Sequence, residues 1–259
     1  MKQTERKQNG IKISARREFI EQNRLRINFE RRLRRQMLKV FNDIGKRAEQ
    51  EYQTTQQTVG LERFATQETT EVLQGHYRSV IDQFGLRILQ NRKQESQFEI
   101  LIRQFMQTIG FTRITNITNT TMRLIRNTIL NAEADGLGVR AIARQVRDNM
   151  AGSFSLYRSA VIARTETHTA ASYANNQVNA SLGIPNQMKR WVSSNDNRTR
   201  EWHRAMNGTM VALDEDFVVP HKGINYRMSY TGDPKGGAAN VINCRCVTLY
   251  VTPEDEIID

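Results

Sequence analysis

The chain has only two cysteines, Cys244 and Cys246, and their i, i+2 spacing limits what they can do. On a strand such residues point to one face with roughly parallel Cβ vectors, a geometry that disfavours a disulfide between them. Two thiolates on one face are half of a tetrahedral zinc site, which His203 and His221 could complete. The alternative is a pair of reduced thiols packed in a small core. Two cysteines in 259 residues exclude a disulfide-built scaffold.

The second group that could do chemistry is charged. Arg164 and Glu166 fall within one turn of a predicted helix, and Asp196, Arg198 and Arg200 follow in a turn-rich segment. A network of Arg-carboxylate pairs between the two is expected, because half-buried pairs of this kind mostly fix orientation. Asp196 or Asn197 should cap a short helix running through Met206 and stopped by Gly208. Catalysis would ask for a nucleophile with its base, paired carboxylates or a phosphate loop, and none is assembled here. Gly232-Asp-Pro-Lys-Gly-Gly237 lacks the strand, loop and Lys-Ser/Thr order of a phosphate loop and reads as a surface loop.

These residues sit behind long helical stretches. From Ile13 to about Gln57, Phe29, Leu33, Met37, Val40, Ile44 and Ala48 recur at three- and four-residue steps, which predicts one long amphipathic helix. A second helical region spans about Leu61 to Gly110, and Ile114, Ile117, Thr121, Leu124 and Thr128 carry the pattern to a break at Gly136–Gly138. Gly138-Val-Arg-Ala-Ile-Ala-Arg-Gln-Val-Arg147 reads as a short amphipathic helix, with a helix-turn-helix DNA reader as the sharper alternative. A last helix, about Ser155 to Leu182, carries Arg164 and Glu166 and stops at Gly183-Ile-Pro185. Beyond Pro185 glycine and turn residues rise, and Lys189–Val192 and Cys246–Val251 read as strands. The expected fold class is therefore a mostly α N-terminal region of long helices, residues 1–180, followed by a small α+β domain with a few short strands, residues 181–259.

Charge is unevenly distributed. The chain carries a net +11, of which residues 1–40 supply +9, with 13 Lys or Arg against 4 Asp or Glu. Residues 181–259 hold 9 basic and 10 acidic side chains, so that part has no general pull on a polyanion. Arg16, Arg17, Arg24, Arg26, Arg31, Arg32, Arg34 and Arg35 are either a solvated helix face or a contact for double-stranded DNA phosphates, read without sequence preference, or for an acidic protein surface. No window approaches 18 consecutive apolar residues and Met1–Gly10 is polar, so a membrane span and a secretory signal are not expected; synthesis and solubility in a host cytoplasm are.

Three motifs, Ala163-Arg-Thr-Glu166, the run Trp191–His203 leading to Asn207-Gly208, and Asn243-Cys-Arg-Cys246, occur in this order. Together, over about residues 135–251, they resemble the Mu protein F-like minor head proteins of tailed phages, also called head morphogenesis or minor capsid proteins. The resemblance implies a structural role without catalysis, in the virion, inside the capsid near the portal vertex. It implies the portal protein as partner, with the major capsid protein and packaged DNA as further partners, and a role in head assembly, DNA packaging or ejection. No cofactor other than zinc is implied. Family members carry a Cys-x-x-Cys at the short helix, where this chain has Arg200 and His203. A distant relation of the family to ADP-ribosyltransferases makes such an enzyme, or another enzyme delivered with the genome, an alternative; that class takes its Arg and Glu from separate strands and loops, unlike Arg164 and Glu166. A DNA-binding protein outside the virion is the other alternative.

Overall fold

The computed structural model describes residues 11–89 and 95–258; the polar segment Met1–Gly10 and residues 90–94 lie outside the described residues. The chain divides into two compact units interleaved along the sequence, one made of residues 1–28, 80–101 and 164–259 and the other of 29–79 and 102–163. This grouping does not follow the change of composition at 180/181.

Helix α1, Ala15–Thr55, is preceded by a strand, β1, Lys12–Ser14. The helix predicted from Ile13 therefore starts two residues later. Its buried positions run Ala15, Gln22, Arg26, Leu33, Met37, Val40, Phe41, Ile44, Ala48 and Tyr52, the spacing of one helix face. Helix α2 is Leu61–Ile88, and α3, Glu95–Phe105, is followed by a π-helical turn, Met106–Gly110, in which the Phe111 N–H reaches back to the Met106 carbonyl. The single stretch expected over Leu61–Gly110 is thus two helices. Then come α4, Phe111–Ala134, α5, Val139–Ala151, and α6, Ser153–Ser181.

The second unit is all helical and its core is built from those faces. The Tyr77 and Phe105 rings meet edge to face at 4.9 Å. Tyr52 packs with Ala132, Ile142 and Ala143 and donates its hydroxyl to Glu133 Oε1 at 2.8 Å. Gly45 admits close approach of α1 and α5, since a Cβ there would lie 2.7 Å from Met150 Cβ. Ile142, Ala143, Val146 and Met150 of α5 are buried, and Arg147 is spent on Glu49 and Asp148. The Gly138–Arg147 segment is accounted for by packing.

In the first unit, β2 (Met188–Val192) pairs antiparallel with β3 (Met210–Ala212) and with β6 (Val247–Val251). β4 (Phe217–His221) and β5 (Ile224–Met228) form a hairpin whose two-residue turn, Lys222-Gly223, takes positive φ at both positions, as the twist of such a hairpin requires. β7, Glu256–Ile258, pairs in parallel with β1. Two short helices, α7 (Glu201–Ala205) and α8 (Gly237–Val241), complete it. One face of β2 and β6 packs Val192, Val247, Leu249 and Val251 on Ala15 of α1. The other cluster gathers Trp191, Met206, Phe217, Val219, Met228, Val241, Cys244 and Cys246, which carries both thiols into an apolar core.

Candidate metal centre

α8 ends in a turn in which Asn243 takes φ +60°, and the chain then runs through Cys244 and Cys246 into β6. The two cysteines therefore stand on the turn ahead of the strand rather than on one strand face. His203, on α7, meets them: its Nδ1 lies 3.7 Å from the sulfur of each, and the three ligand atoms fall within 4.8 Å of one another. All three side chains are buried. His221 is not part of this group. It lies on β4 and stacks on Trp202 with ring centroids 3.9 Å apart.

The hydrogen bonds around His203 fix which nitrogen carries its proton. Trp202 Nε1, which can only donate, lies 2.8 Å from Asn240 Oδ1, and Asn240 Nδ2 donates to the Gly236 carbonyl at 2.8 Å. Asn240 therefore turns its oxygen to the two rings, and His203 Nε2, 3.2 Å away, must donate to it. Nδ1 is left with a bare lone pair facing both thiols. A second ring nitrogen tied to a carbonyl is the usual way a metal-binding imidazole is oriented. Tetrahedral zinc holds a sulfur and an imidazole nitrogen about 3.5 Å apart, so the 3.7 Å separations fit the ion. Between the thiols themselves, mutual hydrogen bonding pushes Cys244 well above the usual thiol range and Cys246 well below it.

The Ala163–Glu166 motif holds this turn in place, though not through the pairs expected of it. Arg164 Nη1 donates to Asn243 Oδ1 at 2.8 Å, the Asn243 N–H donates to Thr165 Oγ1 at 3.1 Å, and His168 Nε2 donates to the Cys246 carbonyl at 2.8 Å. Thr169 Oγ1 reaches the Gly232 carbonyl one turn further on. Glu166 is buried on the same helix. Asp196 pairs with Arg245 in a two-pronged contact, which holds its carboxyl down at about 2. A network joining Asp196 to Arg164 is therefore corrected: the arginine between the two cysteines takes the carboxylate. Asp196 also accepts from the Arg198 N–H and closes the turn to Thr199, so it caps that turn and not α7, whose N-cap is Arg200 without a side-chain cap. Arg198 is exposed, and the Arg200 guanidinium donates to the Ile242 carbonyl.

Of the basic residues on α1, Arg16, Arg17, Arg24, Arg31, Arg32, Arg34 and Arg35 are exposed, and Arg17 pairs with Glu21. Arg26 is the correction. It is 2% exposed and donates to Asn23 and to the Arg245 carbonyl, so it is a structural residue and no contact for DNA or portal. Sequence reasoning missed Asn240, Thr165 and His168 as functional positions. The period of the last helix could have given the latter two, since Arg164, Thr165, His168 and Thr169 share one face.

Comparison with known proteins gives these motifs a setting. Residues 123–249 match the model of the family described as Phage Mu protein F like protein. The chain is 31% identical over 132 residues to an NAD(+)-arginine ADP-ribosyltransferase of Enterococcus faecalis, covering 49% of this chain and 25% of that protein. It is 30% identical over 131 residues to the minor head protein of Bacillus phage SPP1, covering 48% and 40%. An uncharacterized protein of Bacillus subtilis is 24% identical over 185 residues, covering 70% and 59%. The chain thus spans between a quarter and about three fifths of the length of these relatives. No solved structure matches it. The match covers the helix that bears Arg164 and Thr165, the helix that bears His203, and the turn of Asn243–Cys246, so over residues 123–249 this chain is similar to the Phage Mu protein F like family.

Proposed function

We propose that this chain is a structural minor head protein of a tailed phage, built into the particle beside the portal, inside the capsid, where it supports head assembly and DNA packaging or ejection. The carrying observation is the family match over residues 123–249, joined by the similarity to a phage minor head protein over about half of the chain. The site supports the same reading: Arg164, Thr165 and His168 spend their polar groups on the turn of Asn243–Cys246, a clamp within the fold. The portal protein is the first partner, the major capsid protein a second, and the exposed arginines of α1 face double-stranded DNA or an acidic protein surface. Among the described residues no helix is long and apolar enough to cross a membrane. Peptide mass spectrometry of purified, DNA-filled particles tests the reading: the chain should be present in few copies and co-purify with the portal. Its absence from particles would favour a DNA-binding protein outside the virion.

The similarity to an ADP-ribosyltransferase keeps one enzymatic reading open to experiment. Transfer of ADP-ribose from NAD to an arginine substrate by the full chain would establish it and displace the structural account.

We further propose zinc as the resident ion of the centre, held by His203, Cys244 and Cys246, where it would tie α7 to the turn before β6. Elemental analysis of the full chain should find about one equivalent, with a chelator lowering the melting temperature. Metal-free protein of unchanged stability would leave the cysteines as core thiols.

A further inference from the structure

The same three donors point to what kind of metal site this is. Structural zinc sites are closed by four protein ligands, whereas sites with three leave the fourth place to solvent or another small ligand. Among the described residues His203, Cys244 and Cys246 are the whole donor group, and His221 is held away by its stacking on Trp202. Beside the donors lies a cavity of about 10 Å³, bordered by Ser194, Arg198, Thr199 and Arg200. That volume is the size of one water molecule. Arg200 borders it with a guanidinium, which has no lone pair to offer a cation and so cannot close the site.

We infer that the metal proposed above keeps one exchangeable coordination place, filled by water or hydroxide and open to a small monodentate anion. The inference rests on the zinc reading. Charge supports an anion: two thiolates and a neutral imidazole cancel a divalent ion, and the positive groups at the rim are then unopposed by the centre itself. Arg245 is neutralised by Asp196, while Arg198 is exposed and Arg200 borders the cavity. Arg200 gives one N–H to the Ile242 carbonyl, and a guanidinium has five. A water or anion in the cavity would meet the metal on one side and these donors on the other.

Cobalt substitution of the full chain separates this inference from the one beneath it. Binding of Co²⁺ should produce thiolate-to-cobalt absorption, and titration with thiocyanate should then shift the ligand-field bands with saturation. In Arg200→Cys, which places a third thiolate, and so a fourth ligand, at the cavity rim, the thiolate absorption should grow and the thiocyanate response disappear. If cobalt gives the thiolate bands and neither thiocyanate nor cyanide changes the ligand-field region, the site is closed and the inference falls while the metal reading stands. An equal thiocyanate response in Arg200→Cys would also overturn it, since the anion would then act elsewhere. Without any thiolate-to-cobalt band, both fall together.

Discussion

Asn240 shows how much of the centre depends on one side chain with no chemistry of its own. The sequence marks Cys244, Cys246 and His203 because their types can bind a metal, and it offers His221 equally, because spacing does not say that His221 will be used up in stacking on Trp202. Nothing in the chain marks Asn240, whose role lies in pointing one oxygen at two rings from α8. Asn240→Leu keeps the volume but strips Trp202 Nε1, His203 Nε2 and the Gly236 carbonyl of their partner. It should cost about 3 kcal/mol of stability in urea denaturation, and it should weaken zinc in a competition assay by about 10- to 100-fold. Unchanged zinc affinity would show that the Nε2–H contact does not set the tautomer. His76 gives a second residue-scale expectation. It is 5% exposed, and burial, with the nearby charge of Arg32, holds its pKa down at about 3. Above pH 6.5 it is neutral whether the chain is folded or not, so its contribution to stability is then complete. As pH falls below 6.5 the unfolded chain takes up a proton that the folded one refuses, and stability is lost progressively toward pH 3. By pH 5 the loss should be about 2 kcal/mol. His76→Gln should flatten that slope, leaving the part due to His168, which is depressed in the same direction.

At the scale of elements, the helices were legible and the joints were not. Long apolar periods gave α1, α4, α5 and α6 nearly at their observed bounds, while α2 and α3 were read as one stretch. The same period places Arg26 four residues after Gln22 and seven before Leu33, on the buried face, so its phase, had it been weighed above its charge, would have separated it from its exposed neighbours. β1 was illegible for a different reason: three residues leading straight into a helix carry no alternation to read, and their partner β7 is more than 240 residues away. The packing of α6 on the loop after β5 was hidden too, because it depends on one glycine. Gly232 has φ +83°, and a Cβ there would lie 2.3 Å from His168 Nδ1. Gly232→Ala should therefore combine backbone strain with a clash against the ring that holds the Cys246 carbonyl. A loss of about 2–4 kcal/mol is expected in thermal or urea unfolding. A loss below about 0.5 kcal/mol would mean that α6 and this loop give way easily and that the clamp is loose.

For the whole molecule, composition located the change of character near residue 185 but not the compact units, because one of them draws on three separate stretches of chain. Charge was the more readable property, since it belongs to residues regardless of how they fold, and it leads to a test in which exposure and function can be told apart. Arg31, Arg32, Arg34 and Arg35 are exposed on α1 and are the densest basic group in the chain. If all four meet phosphates, their joint replacement by Gln should lower the slope of log affinity against log salt by about 3–4, at roughly 0.9 per contact. Their stability should change little, because exposed arginines without a fixed partner contribute little. Arg26→Gln is the counterpart: it removes a buried cation from the Arg245 carbonyl, so it should destabilise the fold by about 1–3 kcal/mol and leave the salt slope of the folded protein where it was. A quadruple variant with an unchanged slope would assign that face to solvent or to an acidic protein surface. A slope that fell equally in both variants would mean that loss of folded structure, and not loss of phosphate contacts, governs binding, and the charge on α1 would then no longer support a DNA contact.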